Sequence, residues 1–293
     1  MNSRSDVPQI DSATVEALLV WWRDAQRDLP WRDTRDPWAI LVSEVMSQQT
    51  QLERVIPKWF EFLHRYPTPA SLARASVGDV IGFWVGLGYN RRARMLHECA
   101  TVIESTHGGV VPDELDLLLA LPGVGPYTAR AVLAFAFEHD VAVVDTNVGR
   151  ILARLSATTF NARSVQDLAD RIVPSGSGWR WNQAILDFGA SICTKRNPSC
   201  SGCPVVGHCQ WAGQGPDPAQ SSAGVSGRQS SFVGSDREGR GRLIRALREG
   251  PVDHQDLAMT MGWPGDSKRV DRVLGGLIRD GMVVSVHQGV RLP

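Results

Sequence analysis

Leu121-Pro-Gly-Val-Gly-Pro-Tyr-Thr-Ala129 joins two stretches of helical periodicity through two glycines one residue apart. Upstream, Leu115, Leu118 and Leu119 recur at helical spacing, and downstream an apolar helix begins near Pro126. A helix N-terminus presents free backbone N–H groups and the positive end of its dipole. The missing side chains at Gly123 and Gly125 let a phosphate approach those groups. The segment therefore reads as a helical hairpin that cradles a phosphate. A tight turn that merely needs glycine is the plainer alternative, and the flanking sequence has to decide between them.

From Val15 to Leu186 nearly every segment repeats apolar residues at helical spacing, as in Val15, Leu18, Leu19 and Trp22, and alternating strand patterns are nearly absent. Glycine and proline punctuate the run at Leu29-Pro30, Asp36-Pro37, Tyr66-Pro67, Gly86 to Gly88 and Gly108-Gly109, as short links between many helices require. The main body is predicted to be all-α. Residues 213–235 are too rich in Gly, Ser, Pro and Gln to bury a core and read as a linker. A small module is expected over 236–293, with helix-like runs 239–249, 253–261 and 267–280 and two short strands, Met282 to Val286 and Gly289 to Leu292. Three helices followed by a hairpin suggest a winged helix, a shape used both by DNA binders and by protein–protein modules.

The chain has 293 residues, 31 Lys/Arg, 31 Asp/Glu and a formal net charge of zero, which argues against a polyanion-binding surface spread over the whole molecule. Residues 237–293 carry ten Lys/Arg against seven Asp/Glu, so the tail is modestly basic. No stretch approaches the ~20 apolar residues of a membrane span. A soluble, cytoplasmic, monomeric protein is expected. Only Lys58, Lys195 and Lys268 are lysine, which restricts any amine chemistry to few candidates.

Three further features carry chemistry. Val141-Ala-Val-Val-Asp145-Thr-Asn147 places one carboxylate after four apolar residues, where it needs either a cap role, accepting the amide of Asn147 or Val148, or a reactive one. The segment Trp38-Ala-Ile-Leu-Val-Ser-Glu44-Val-Met-Ser-Gln48-Gln49-Thr50 puts Ile40, Leu41 and Gln48 on the face of Glu44, aiming that carboxylate inward. Four of the five cysteines, Cys193, Cys200, Cys203 and Cys209, fall in one run spaced C-x6-C-x2-C-x5-C. Zinc sites usually pair two C-x2-C units, and only one is present, so a [4Fe–4S] cluster is the better reading. Disulfides would call for an export signal, and the first residues hold no apolar core. Cys99 lies in an apolar-periodic stretch and reads as a small buried side chain.

In order, Glu44 with its QQT, Leu87-Gly88-Tyr89, the hairpin followed by Tyr127, VDTN at Asp145 and the four cysteines resemble the endonuclease III superfamily of helix-hairpin-helix base-excision glycosylases. Within it the chain is similar to adenine glycosylases of the MutY type, and is actinobacterial-looking. The resemblance spans about residues 10 to 212. It implies a cluster-bearing domain over 8–37 with 143–212, a six-helix barrel over 38–142, and double-stranded DNA containing A·8-oxoG or A·G mispairs in the cleft between them. Glu44 and Asp145 would face each other there, one from each domain.

The resemblance also assigns roles. Glu44, held partly out of water, would protonate the adenine at N7 and then guide a water, while Asp145, kept ionised, would stabilise the oxocarbenium ion. Asn147 accompanies Asp145 in the VDTN motif. Because the base must leave the duplex, a wedge must fill the gap, and Gln49, Leu87 and Tyr89 are its candidates, Leu87 having core packing as an alternative. Gln48, Thr50, Arg91, Arg92, Arg94, Gly123, Gly125, Lys195 and Arg196 would meet the DNA, and Arg32 of LPWR would support Glu44. Lyase members place a Schiff-base lysine where this chain has Tyr127, so excision should leave an abasic site without a strand break. Ser47 and Asn90 depart from the bulkier residues expected there, and the tail is too short and helical for a Nudix-like reader of 8-oxoguanine. A T·G or U·G mismatch glycosylase, or a non-catalytic iron–sulfur DNA-binding protein, remain the competing readings.

Overall fold

The computed structural model describes residues 9–222 and 231–293. Their helices are α1 Ser12–Ala25, α2 Pro37–Ser47, α3 Leu52–Arg65, α4 Pro69–Ala73, α5 Val77–Phe83, α6 Arg91–His107, α7 Leu115–Leu119, α8 Pro126–Phe135, α9 Thr146–Leu155, α10 Ala162–Ile172, α11 Gly178–Ser191, α12 Asp236–Glu249, α13 Leu257–Met261 and α14 Ser267–Arg279. Side chains at the entry positions fix where many of them start. Asp11, Asp36, Asp145, Asn161 and Ser235 each accept a first-turn amide of the helix that follows, satisfying donors that have no partner inside the helix. No helix among the described residues is long and apolar enough to cross a membrane.

The described residues form two compact units, one of residues up to Arg35 with those from Pro126 to 222, the other of Asp36–Gly125 with those from 231 onward. The first is built on α11, whose buried face (Trp181, Ile185, Phe188) meets Leu18 of α1 and Ile151 of α9. Its one deeply buried acid, Asp187, is fully committed. Trp22 Nε1 and Arg32 Nη1 donate to its Oδ2 at 2.8 and 2.9 Å, and Arg32 Nη2 and Arg27 Nε donate to Oδ1 at 2.7 and 2.5 Å. Burial alone would raise this carboxyl, but the two guanidiniums outweigh it and hold it below the usual carboxylate value. Both terminal nitrogens of Arg32 are thus engaged by Asp187. The expected barrel limit at 142 differs from this division, because α8 packs on α11.

The second unit centres on α2, in which every residue from Trp38 to Met46 is buried. Phe62 sits inside an aromatic group with Tyr66, Phe83 and Trp84, with ring centroids 5.0 to 6.2 Å apart. Cys99 is buried in the same unit, and desolvation pushes its thiol up to about 12, where it behaves as an apolar side chain.

The C-terminal residues belong to this unit too. Helices α12, α13 and α14 are followed by an antiparallel hairpin, β2 (Val284–Val286) and β3 (Gly289–Arg291), and the short strand β1 (Val252–Asp253) pairs with β3 to give the order β1-β3-β2. Residue 253, expected to open a helix, instead pairs with Gly289. The module docks on the helices of residues 36–125: Gly78 N–H donates to Pro293 O at 3.1 Å, Arg94 donates to Asp280 O, and α12 packs on α5. The expected linker 213–235 is in part structured. Asp217 pairs with Arg154 at 2.7 Å and Ala219 is buried in the first unit's core, and these contacts, not composition, fix that stretch. Residues 223–230 of that linker lie outside the described residues.

Candidate active site

In the first unit Asp145 sits at the N-cap of α9. Its Oδ1 accepts the amides of Asn147 and Val148, both at 2.8 Å, and its Oδ2 accepts Asn147 Nδ2 at 2.8 Å. Asp145 is thus the side-chain N-cap of α9. Although partly exposed, the carboxylate is enclosed closely enough that desolvation raises it above the ordinary aspartate value, against the pull of those donors and of Arg150. The cap continues inward. Arg150 Nη2 donates to Asn147 Oδ1 at 2.9 Å and to Gly189 O at 2.7 Å, and Arg150 Nε donates to Cys193 O at 2.8 Å. A connected set of hydrogen bonds thus ties the Asp145 carboxylate to the first cysteine of the run. Sequence reasoning missed Arg150. The signal was an arginine pair at i and i+4, Arg150 and Arg154, inside the otherwise apolar run Ile151, Leu152, Ala153 and Leu155.

Cys193, Cys200, Cys203 and Cys209 line one small cavity with Ile151, Phe188 and Trp211. Arg154 lies over the Trp211 ring at 4.6 Å and donates to Cys193 Sγ at 3.3 Å, and Ala212 N–H donates to Cys209 Sγ at 3.3 Å. Donors of this kind favour sulfur as thiolate. Among the described residues no group of His, Cys, Asp and Glu is drawn together tightly enough to hold a single metal ion. The loop between Cys193 and Cys200 exposes Lys195 and Arg196 and is braced from within by Thr194 Oγ1 on Asn197 O at 2.8 Å and by Arg154 on the Thr194 carbonyl at 2.8 Å.

In the second unit Glu44 lies on α2 at 9% exposure. Beyond α2 the chain turns through Gln49, whose φ of 55° is left-handed, and Thr50, whose Oγ1 donates to Leu87 O at 3.0 Å. Arg92 locks this corner. Its Nη1 donates to the carbonyls of Val45, Met46 and Gln48 at 2.6 to 2.9 Å, and its Nη2 donates to Thr50 Oγ1 and Gly88 O, both at 2.9 Å. Burial brings this guanidinium down to about 10, so it stays charged at neutral pH. Arg92 accordingly holds the loop instead of meeting a DNA backbone. Arg94 is likewise committed, to Glu98 at 2.5 Å and the Asp280 carbonyl. Leu87, expected as a wedge, is 3% exposed and packs in the core, whereas Tyr89 is 40% exposed with φ of 48°. Arg91 and Arg54 are exposed beside it. Truncating Arg92 leaves several buried carbonyls without donors, so Arg92→Ala should destabilise the protein by about 2–4 kcal/mol, read as an earlier urea midpoint.

The hairpin also belongs largely to this unit. Gly123 has φ of 77°, and a Cβ there would come within 2.8 Å of Met95 Cβ, so no other residue fits without displacement. Above Gly125 the space is open. Tyr127 is half-buried in the first turn of α8. The sequence-derived residues thus fall into two sets. Asp145, Asn147, Tyr127 and the cysteines lie in one unit, and Glu44, Gln48, Gln49, Thr50, Tyr89, Arg91, Gly123 and Gly125 in the other.

Comparison with known proteins supplies the remaining constraint. Residues 42–175 match the HhH-GPD superfamily of base excision DNA repair proteins. The adenine DNA glycosylase of Mycobacterium tuberculosis strain H37Rv is 42% identical over 281 residues, covering 93% of this chain and 90% of that protein. The chain belongs to the adenine DNA glycosylase family. The family's members are base excision repair enzymes, so the two carboxylates are read below as parts of an active site. A structure of a thermostable thymine-DNA glycosylase aligns with TM-score 0.64 and 31% identity over 69% of this chain and 95% of that one. A non-covalent endonuclease III–DNA complex aligns with TM-score 0.62 at 24% identity over 69% of this chain and 94% of that one, which shows the shared helical fold. The glycosylase match at 42–175 includes Glu44, the Tyr89 loop, the hairpin and Asp145, while the cysteine run lies beyond it.

Proposed function

We propose that this enzyme, as a monomer on double-stranded DNA, excises adenine mispaired with 8-oxoguanine or guanine by hydrolysing the N-glycosidic bond. Adenine is a poor leaving group until protonated. The carboxyl of Glu44, kept from bulk water on the buried helix α2, is the acid for N7. As the bond to the base lengthens, positive charge grows on the sugar, and Asp145 is the anion that stabilises it. Its position at the N-cap carries this reading: three hydrogen bonds orient both oxygens, while desolvation makes the charge most strongly felt by a nearby cation. After the base departs, water attacks the sugar and its proton passes to the carboxylate of Glu44, restoring the acid.

Extruding the adenine leaves a gap in the duplex, for which Gln49 and Tyr89, presented on a left-handed turn at each end of the Arg92-locked corner, are suited. Gly123, Gly125 and the first amides of α8 suit one backbone phosphate, and Arg91, Lys195 and Arg196 suit others. The small module, three helices and a three-stranded sheet, is a winged helix in outline. Cys193, Cys200, Cys203 and Cys209 would hold a [4Fe–4S] cluster. The fit rests on four sulfurs around one cavity with N–H donors on two of them. When bound, the cluster supplies thiolate–iron bonds that fix the loop carrying Lys195 and Arg196. A thymine-specific reading has the 31% identical relative in its favour, but the adenine family matches more of the chain at higher identity, and a buried acid on α2 suits a purine leaving group.

Tyr127 cannot form a Schiff base, so attack by water is the expected route to product. Incubation with an adenine-containing mispair should release free adenine, detectable by chromatography, with strand breaks appearing only after alkali. Borohydride should trap little protein on DNA. Efficient trapping would show that a lysine had been misassigned and would overturn the hydrolytic reading.

A further inference from the structure

The second unit contains a cavity of about 840 Å³ where the small module meets the helices of residues 36–125; it reaches the corner after α2 and the hairpin, so Val45, Gln48, Gln49 and Gly123 also line it. Its floor is apolar, formed by Met95, Leu96, Ile244, Leu277 and Met282. Its rim is strongly basic: Arg54 and Arg91 come from the helices of residues 36–125, and Arg237, Arg240 and Arg245 from α12. The one acid lining it, Asp280, already faces Arg240 at 3.5 Å. Arg54, Arg91 and Arg245 are exposed and form no ion pair among the described residues, unlike Arg242, which pairs with Glu238 at 2.7 Å. Two aromatic rings stand at the mouth, Tyr89 at 40% and Phe232 at 57% exposure.

An apolar floor of this size excludes a bare phosphate as the intended ligand, and a rim of arginines excludes a cation or a neutral lipid-like molecule. What satisfies both is a flat, largely apolar ring joined to phosphates, with exposed aromatics to stack on. A base paired inside a duplex cannot reach such a floor, but an unstacked one can. We infer that the cavity between α12 and those helices is an accessory nucleic-acid subsite that takes an unstacked deoxynucleotide of single-stranded DNA. The phosphates meet Arg54, Arg91, Arg237 and Arg245, and the base lies against Phe232 and the apolar floor. The inference rests on the DNA-binding part of the excision reading, because Gln49, Tyr89, Arg91 and Gly123 serve in both, but it needs no chemistry at Glu44 or Asp145. It also gives the small module a role that its size alone does not suggest: α12 completes a site that those helices offer only in half.

The test uses the full chain and a fluorescent oligothymidine of about ten nucleotides, with affinity measured by anisotropy at several salt concentrations. The unvaried protein should bind it, with affinity falling as salt rises because phosphates are being neutralised. Arg245→Glu and Phe232→Ala, both at exposed positions, should each weaken binding on the order of tenfold. Arg279→Glu, an exposed position of α14 outside the cavity with the same change of charge, should stay within about twofold. Failure of the oligothymidine to bind at low salt would overturn the inference. So would equal weakening by Arg279→Glu and Arg245→Glu, which would mean diffuse attraction with no site. Loss of adenine excision in an oligothymidine-binding protein would count against the excision reading only.

Discussion

Glu44→Gln lowers the single-turnover rate of adenine excision by at least about 100-fold, a loss of roughly 3 kcal/mol of transition-state stabilisation. Glutamine has nearly the same shape, so the packing of α2, buried from Trp38 to Met46, is retained and the melting temperature should hold. The amide has no proton to give to a purine nitrogen and no carboxylate to take one back from water. Affinity for the mispaired duplex should therefore survive, and the rate alone should collapse. An unaltered rate would show that the leaving group is protonated from elsewhere and would remove Glu44 from the mechanism.

Asp145→Asn should cost excision a similar factor, for a different reason. Asparagine keeps one oxygen for the amides of Asn147 and Val148 and is as good an N-cap, so α9 still starts in the same place. What disappears is the negative charge, together with the acceptor for Asn147 Nδ2, which is left to water. The pH dependence separates this from simple damage. Desolvation raises Asp145 above the ordinary aspartate value, so the charged form is lost on acidification earlier than for an exposed aspartate, and the acid limb of the parent's rate should lie at higher pH than an exposed aspartate would give. The stability contribution has the opposite sign to that of a salt-bridged acid. With a folded pKa above the unfolded one, stability from this group is full below the unfolded value and is lost as pH rises through the folded one. Ionised Asp145 thus costs stability at neutral pH, and Asp145→Asn should not lower the melting temperature there. Near-parent excision by Asp145→Asn, or an acid limb at the position of an exposed carboxylate, would contradict the role assigned to it.

Much of this was legible in the chain itself because it rests on local chemistry. Two glycines between helical patterns announce a hairpin, an aspartate before a helix announces a cap, and four clustered cysteines stand out in any composition. The helical body was equally plain, since a period of 3.6 repeats for most of the length. What the sequence could not give was partnership at long range. Arg32 is 155 positions from Asp187, and Arg92 turns back onto carbonyls 44 to 47 positions earlier, distances over which no residue spacing carries information. Arginines in glycosylase-like surroundings were read as DNA contacts when two of them, Arg92 and Arg94, hold the protein together. Leu87 was misjudged for the same reason, because a leucine in a glycine-rich loop can point either way until its neighbours are known. The stretch 213–222 looked like linker because composition records what a segment cannot bury by itself, and Asp217 and Ala219 are held by the partner surface instead. Docking of the small module on the helices of residues 36–125 was invisible on the same ground.

The measurement closest to the central claim is a single-turnover comparison of four duplexes, bearing A·8-oxoG, A·G, T·G and U·G, with purified full-length protein and alkaline cleavage of the resulting abasic sites. Rapid excision of adenine from the first two, with thymine and uracil left in place, is the expected result. Preferential removal of thymine or uracil with adenine untouched would contradict the account, as would a protein that binds all four duplexes and cuts none.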